Sequence, residues 1–89
     1  MAEARKGLRF VTEYKRTDSN PGAVTIILDD VIIGRIWVAF FDSEISSWKK
    51  WFKPQIVHGL NGKSAETNLK NAKKHVREYL KELGRIPHR

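Results

Sequence analysis

Between Ala65 and Leu83, apolar residues fall at Ala65, Leu69, Ala72, Val76, Tyr79, Leu80 and Leu83, the i, i+3, i+4, i+7 spacing of a helix with one apolar side. The first half of the chain runs with a different period. In "LRFVTEYKR", Leu8, Phe10, Thr12 and Tyr14 alternate with Arg9, Val11, Glu13 and Lys15, the mark of a half-buried strand. "AVTIIL" and "VIIGRIWVAFF" follow, both rich in β-branched residues. Between the strands, "TDSNPG" offers Pro21 and Gly22 for a type II turn, and Asp29-Asp30 supplies a second turn. Gly34 marks a bulge in the third strand.

A chain that passes once from period two to period 3.6 builds strands first and then a single covering helix. The fold expected is α+β: a three- or four-stranded antiparallel sheet over residues 8–57, covered on one face by one long C-terminal helix over 64–83. At 89 residues there is room for one domain with a modest core. Residues 1–7 read as a flexible N-terminus and 85–89 as a basic tail. Ser64 is a suitable N-cap, Glu66 favours the first turn, and Gly84 stands where a left-handed C′ residue belongs. "DSEISSWKKWFKPQIV" fits either a strand or a short helix ended by Pro54, and the aromatic content favours the strand.

Charge is unevenly distributed. The net charge is +7, and residues 63–89 hold eight basic and three acidic side chains, which is +5 of that total. Such asymmetry points to nucleic acid, an acidic protein surface or anionic lipid as partner. There are no cysteines, which removes disulfides and thiolate metal sites. The first residues lack an apolar signal run, and no stretch nears the roughly 20 residues needed to cross a bilayer. A cytoplasmic location with no membrane partner is expected.

Gly62-Lys63-Ser64 raises the question of a phosphate loop. The nucleotide-binding form needs Gly five residues before the second glycine, and that position is Val57. What remains is a helix N-terminus with Lys63 beside it, able to meet one phosphate, or simply a helix start capped by Ser64. "GKSAETNLKNAKKHV" resembles the start of the last helix of double-stranded-RNA-binding domains, and the resemblance implies Lys-rich first turns facing backbone phosphates. It covers about fifteen residues, and that family begins with a helix, for which only residues 1–7 precede the first strand here.

Three surfaces are candidates for work. On the outer side of the helix, Lys70, Lys74, Arg77 and Lys81 share about 60° of arc, and Lys63 and Arg85 lengthen the row. "WKKWFK" interleaves rings and ammonium groups in the way single-stranded nucleic acid requires. Its Lys49, Lys50, Trp51 and Lys53 join the expected nucleic-acid site, with Trp51 as the exposed ring and Trp48 and Phe52 as core anchors. The third surface is the sheet side that one helix cannot cover, where Ile27, Trp37 and Phe41 form an apolar patch. Chain ends, a second copy in a homodimer, or another protein would have to cover it.

No arrangement resembles a catalytic site. His58, His75 and His88 are scattered, and Glu78 and Glu82 lie on an exposed helix face. The polar row Asn68, Asn71, His75, Glu78 and Glu82 offers too few ligands for a metal. The function expected is a small non-enzymatic nucleic-acid-binding module without cofactor, binding DNA or RNA. The competing expectation is a small protein-binding regulator or inhibitor, of the kind mobile elements encode, working through the open sheet face and the basic helix.

Overall fold

A computed structural model describes residues 7–15, 17, 22–38, 42–60 and 62–87. It contains strands β1 (Leu8–Tyr14), β2 (Gly22–Leu28), β3 (Val31–Val38), β4 (Asp42–Ser47) and β5 (Gln55–His58), followed by helix α1 (Ala65–Glu82). The strands form one antiparallel meander in the order β1-β2-β3-β4-β5, so the fold is α+β as expected. The difference lies in the strand count. β5 is only four residues long, with Val57 its one buried residue, too short to leave a periodic signal in the sequence.

Alternation assigns the two sides of the sheet. Val24, Ile26, Ile36, Ile45 and Val57 point to the helix side and are buried there with Ala72, Val76 and Leu80 of α1. The helix packs on β3, β4 and β5. Burying Val76 and Leu80 contributes roughly 1.5–3 kcal/mol each. Asn68, also buried, is satisfied because its Oδ1 accepts from the Leu60 backbone N–H at 2.8 Å. That bond ties the β5–α1 connection to the first turn of the helix.

Both helix ends are closed locally. Ser64 Oγ accepts from the Thr67 backbone N–H at 3.2 Å, which satisfies one of the free donors of the first turn. At the other end Gly84 takes φ +72°. Its N–H reaches Lys81 O at 3.0 Å and the Arg85 N–H reaches Leu80 O at 2.9 Å, the paired bonds of a Schellman motif.

The β2–β3 hairpin turns on Asp29 and Asp30, both with positive φ (50° and 64°), as the handedness of a two-residue hairpin demands. Asp29 Oδ1 accepts from the Gly7 N–H at 2.6 Å, and Asp30 pairs with Arg9 at 2.9 Å. The register shifts between Ile26 and Ile27, opposite Gly34 and Ile32, leaving Ile33 as the extra residue beside Gly34. Gly22 is not a turn residue but the first residue of β2, paired with Val38. Pro21, residues 1–6 of the expected flexible segment 1–7 and the last two residues of the basic tail lie outside the described residues, while Gly7 is held to Asp29 by two hydrogen bonds. Among the described residues, no helix is long and apolar enough to cross a membrane.

Candidate functional site

Because the buried stripe of α1 runs through Asn68, Ala72, Val76 and Leu80, the opposite side carries Lys70, Lys74 and Arg77 to the surface. Among the described residues, none of these three forms an ion pair. The Arg77 guanidinium carbon lies 5.9 Å and the Lys73 ammonium 5.5 Å from the centre of the Phe10 ring. Their stems shield that ring while the charges remain at the surface. Lys81 differs: its side chain is only 15% exposed, and its ammonium stands 3.5 Å from the Glu78 carboxylate. The ridge therefore has three accessible cations, with Lys73 as a fourth that lies nearer the apolar side of the wheel and escaped the sequence reading.

The "WKKWFK" segment is neither strand nor helix. Residues 48–54 turn between β4 and β5, so the alternation of β4 does not extend through them. Phe52 enters the core as expected, but the roles of the two tryptophans are exchanged. Trp51 packs against the core, 6.1 Å from the Phe52 ring, and the Arg85 guanidinium covers it at 4.0 Å. Trp48 is 53% exposed. Lys50 and Lys53 are exposed, whereas Lys49 is half-buried.

Lys49, Trp51 and Arg85 meet in a cleft of about 460 Å³ with Leu28 and Ile33 along its wall. This cleft lies one turn beyond Lys81. The loop and the helix ridge thus join at the C-terminal end of α1. Lys63 does not join them, being exposed at the other end of an 18-residue helix, about 27 Å away at 1.5 Å per residue.

Gly62-Lys63-Ser64 is a helix start: Gly62 has φ +73°, the Lys63 N–H donates to Leu60 O, and Ser64 caps. The resemblance to double-stranded-RNA-binding domains extends no further than this start, since five strands precede the helix here.

The side of the sheet away from α1 carries Arg9 and Val11 from β1, Thr25 and Ile27 from β2, Arg35 and Trp37 from β3, and Asp42, Glu44 and Ser46 from β4, and Glu13, at the irregularity of β1, joins them through its bond to Thr25. Ile27 and Trp37 stand there as expected; Phe41 lies outside the described residues. Two residues that the sequence reading did not select dominate the centre. The Arg35 guanidinium is held between two indoles, 5.3 Å from Trp37 and 5.2 Å from Trp48. Trp37 Nε1 donates to Ser46 Oγ at 3.2 Å. The signal for Arg35 was its parity with Trp37 along β3; the signal for Trp48 was its parity with Glu44 and Ser46. Carboxylates are frequent on this side, with Glu13 bonded to Thr25 and Asp42 3.3 Å from His58. The cationic surface and the aromatic sheet surface are therefore on opposite sides of the domain.

His75 contacts Gln55, and among the described residues no three of His, Asp and Glu are grouped to hold a metal ion. No protein-family model, curated protein or solved structure matches the chain.

Proposed function

We propose that the protein is a small nucleic-acid-binding module that grips the phosphate backbone with the outer side of α1. The observation supporting this is the exposure of Lys70, Lys74 and Arg77, which project from successive turns of one rigid element and, among the described residues, form no ion pair with a carboxylate. Cations one turn apart repeat every 5.4 Å, close enough to the spacing of backbone phosphates for several to engage together. Each neutralised phosphate releases condensed counterions, which makes affinity fall log-linearly with salt. At the C-terminal end of the helix, Lys49 and Arg85 extend the cationic surface around Trp51. The ring of Trp51 is already occupied by Arg85, so backbone contact rather than base stacking is the mode this surface favours.

Fluorescence anisotropy with labelled duplex and single-stranded DNA and RNA tests the reading. Binding is expected with a steep negative salt slope, and the combined change of Lys70, Lys74 and Arg77 to Gln should abolish most of it. Binding that survives this change, or no affinity for any of the four nucleic acids, sinks the reading and leaves the ridge to an acidic protein surface.

A further inference from the structure

Among the charged groups of the open sheet face, the Arg35 guanidinium and the Glu44 carboxylate are near neighbours that do not meet. Arg35 stands between Trp37 and Trp48, and among the described residues its buried Nε has no hydrogen-bond partner and its guanidinium no ion pair. Glu44 is exposed on the neighbouring strand, without a partner among the described residues, and faces Trp37 across the β3–β4 ladder. Since Arg35 faces Ser46 and Trp37 faces Glu44, Arg35 and Glu44 are diagonal neighbours, about 7–8 Å apart. Long side chains could span that gap. The other diagonal runs from Trp37 to Ser46, and the Trp37 indole lies along it, fixed by its Nε1–H to Ser46 Oγ. The indole thus crosses the path that an ion pair within the chain would take.

The surroundings of this pair are apolar. Ile32 is 52% exposed, Trp48 53% and Ile56 63%, and Ile27 is half-buried beside them. Exposed isoleucines, tryptophan and arginine in one patch have the composition of an interface centre rather than of a solvated surface. Nucleic acid is a poor occupant here, because Glu13, Asp42 and Glu44 share the face.

We propose that this face is covered by a second copy of the chain, sheet against sheet, with Arg35 of each copy paired to Glu44 of the other. A two-fold axis lying in the interface plane, crossing the line from Arg35 to Glu44 at a right angle, brings each charge over its opposite. This is an isologous contact and it closes. The same rotation puts apolar side chains of one sheet against those of the other, at the roughly 10 Å separation of stacked sheets. Both α1 helices stay on the outside, so the dimer leaves the cationic ridges accessible. The face is about 20 Å across its five strands, which places the interface at the lower end of the specific size class.

Sedimentation equilibrium in the absence of nucleic acid tests this separately from the proposed function. Over about 1 μM to 1 mM, the wild-type mass should rise from 10.3 kDa to twice that value. Glu44→Arg should weaken the dimer about a hundredfold or more, because it replaces two attractions by two repulsions. Arg35→Glu should do the same, and the double variant Arg35→Glu with Glu44→Arg should recover the dimer. Ile27→Asp, judged folded by its circular dichroism, supplies a reading that does not disturb the Trp37–Arg35–Trp48 stack. A monomeric wild type throughout the range overturns the proposal and assigns the face to another protein. A dimer indifferent to both Glu44→Arg and Ile27→Asp overturns it equally, since association would then use a different surface.

Discussion

Gly34 of β3 lies under the ring of Phe52: a Cβ built on it would stand 2.9 Å from Phe52 Cε2 and closer still to the Ser46 carbonyl oxygen. The absence of a side chain at this point lets β4 and the following turn close over β3, and that closure carries Phe52 into the core. Both neighbours are held, one by the sheet and one by packing with Trp51 and Tyr79. Gly34→Ala should therefore destabilise the protein by about 3 kcal/mol, read as a lower urea midpoint with an unchanged slope. Adding Phe52→Leu should not restore stability, because the clash with the backbone oxygen remains.

Ser43 presents the opposite case, a polar group where an apolar one would serve better. It is 2% exposed, faces the core between Val38 and Val57, and among the described residues its Oγ has no hydrogen-bond partner. Burying an unpaired hydroxyl costs about 1–3 kcal/mol, while the removal of one oxygen leaves only a small void. Ser43→Ala should stabilise the fold by up to about 1 kcal/mol, which for a domain of this size raises the melting temperature by roughly 4–8 °C. A lower melting temperature would mean that the hydroxyl has a partner, such as a bound water.

Trp51 and Trp48 separate in the same kind of measurement. Trp51 is packed on the core beside Phe52 and covered by Arg85, whereas Trp48 stands on the open face. Trp51→Ala should cost about 2 kcal/mol or more, and Trp48→Ala about 1 kcal/mol or less when both are measured at low protein concentration. Equal losses would contradict the packing described.

These two tryptophans also mark the limit of what the sequence made legible. The helix was plain, since its apolar spacing, Ser64 cap and Gly84 terminator are all local signals and all agree. Strand parity placed Ile27 and Trp37 on the open face for the same reason. Parity has no meaning beyond the end of a strand, however, and β4 ends at Ser47. The positions of Trp48, Trp51 and Phe52 depend on a seven-residue turn over Gly34, a tertiary contact that no local pattern encodes. Arg35 was hidden differently. An arginine in a strand reads as a solvent-facing charge, and only the placement of Trp48 next to it on the folded sheet makes it the centre of a stack.

The ridge on α1 should not behave as four equal charges. Lys70 projects freely, whereas the Lys81 side chain is largely covered and its ammonium is already near Glu78. A phosphate approaching Lys81 must compete with that carboxylate and is repelled by it, so fewer counterions are exchanged there. Lys70→Gln should therefore lower the magnitude of the log-log salt slope by about 0.9 on duplex or 0.7 on single strands, the value for one lost phosphate contact. Lys81→Gln should change the slope by less than half of that. Glu78→Gln, which removes a negative charge from beside the Lys81 ammonium, should raise affinity and steepen the slope. If Lys81→Gln instead gives the larger loss, bound nucleic acid follows the side of the helix nearer Glu78 and the ridge assigned to Lys70, Lys74 and Arg77 is not its track.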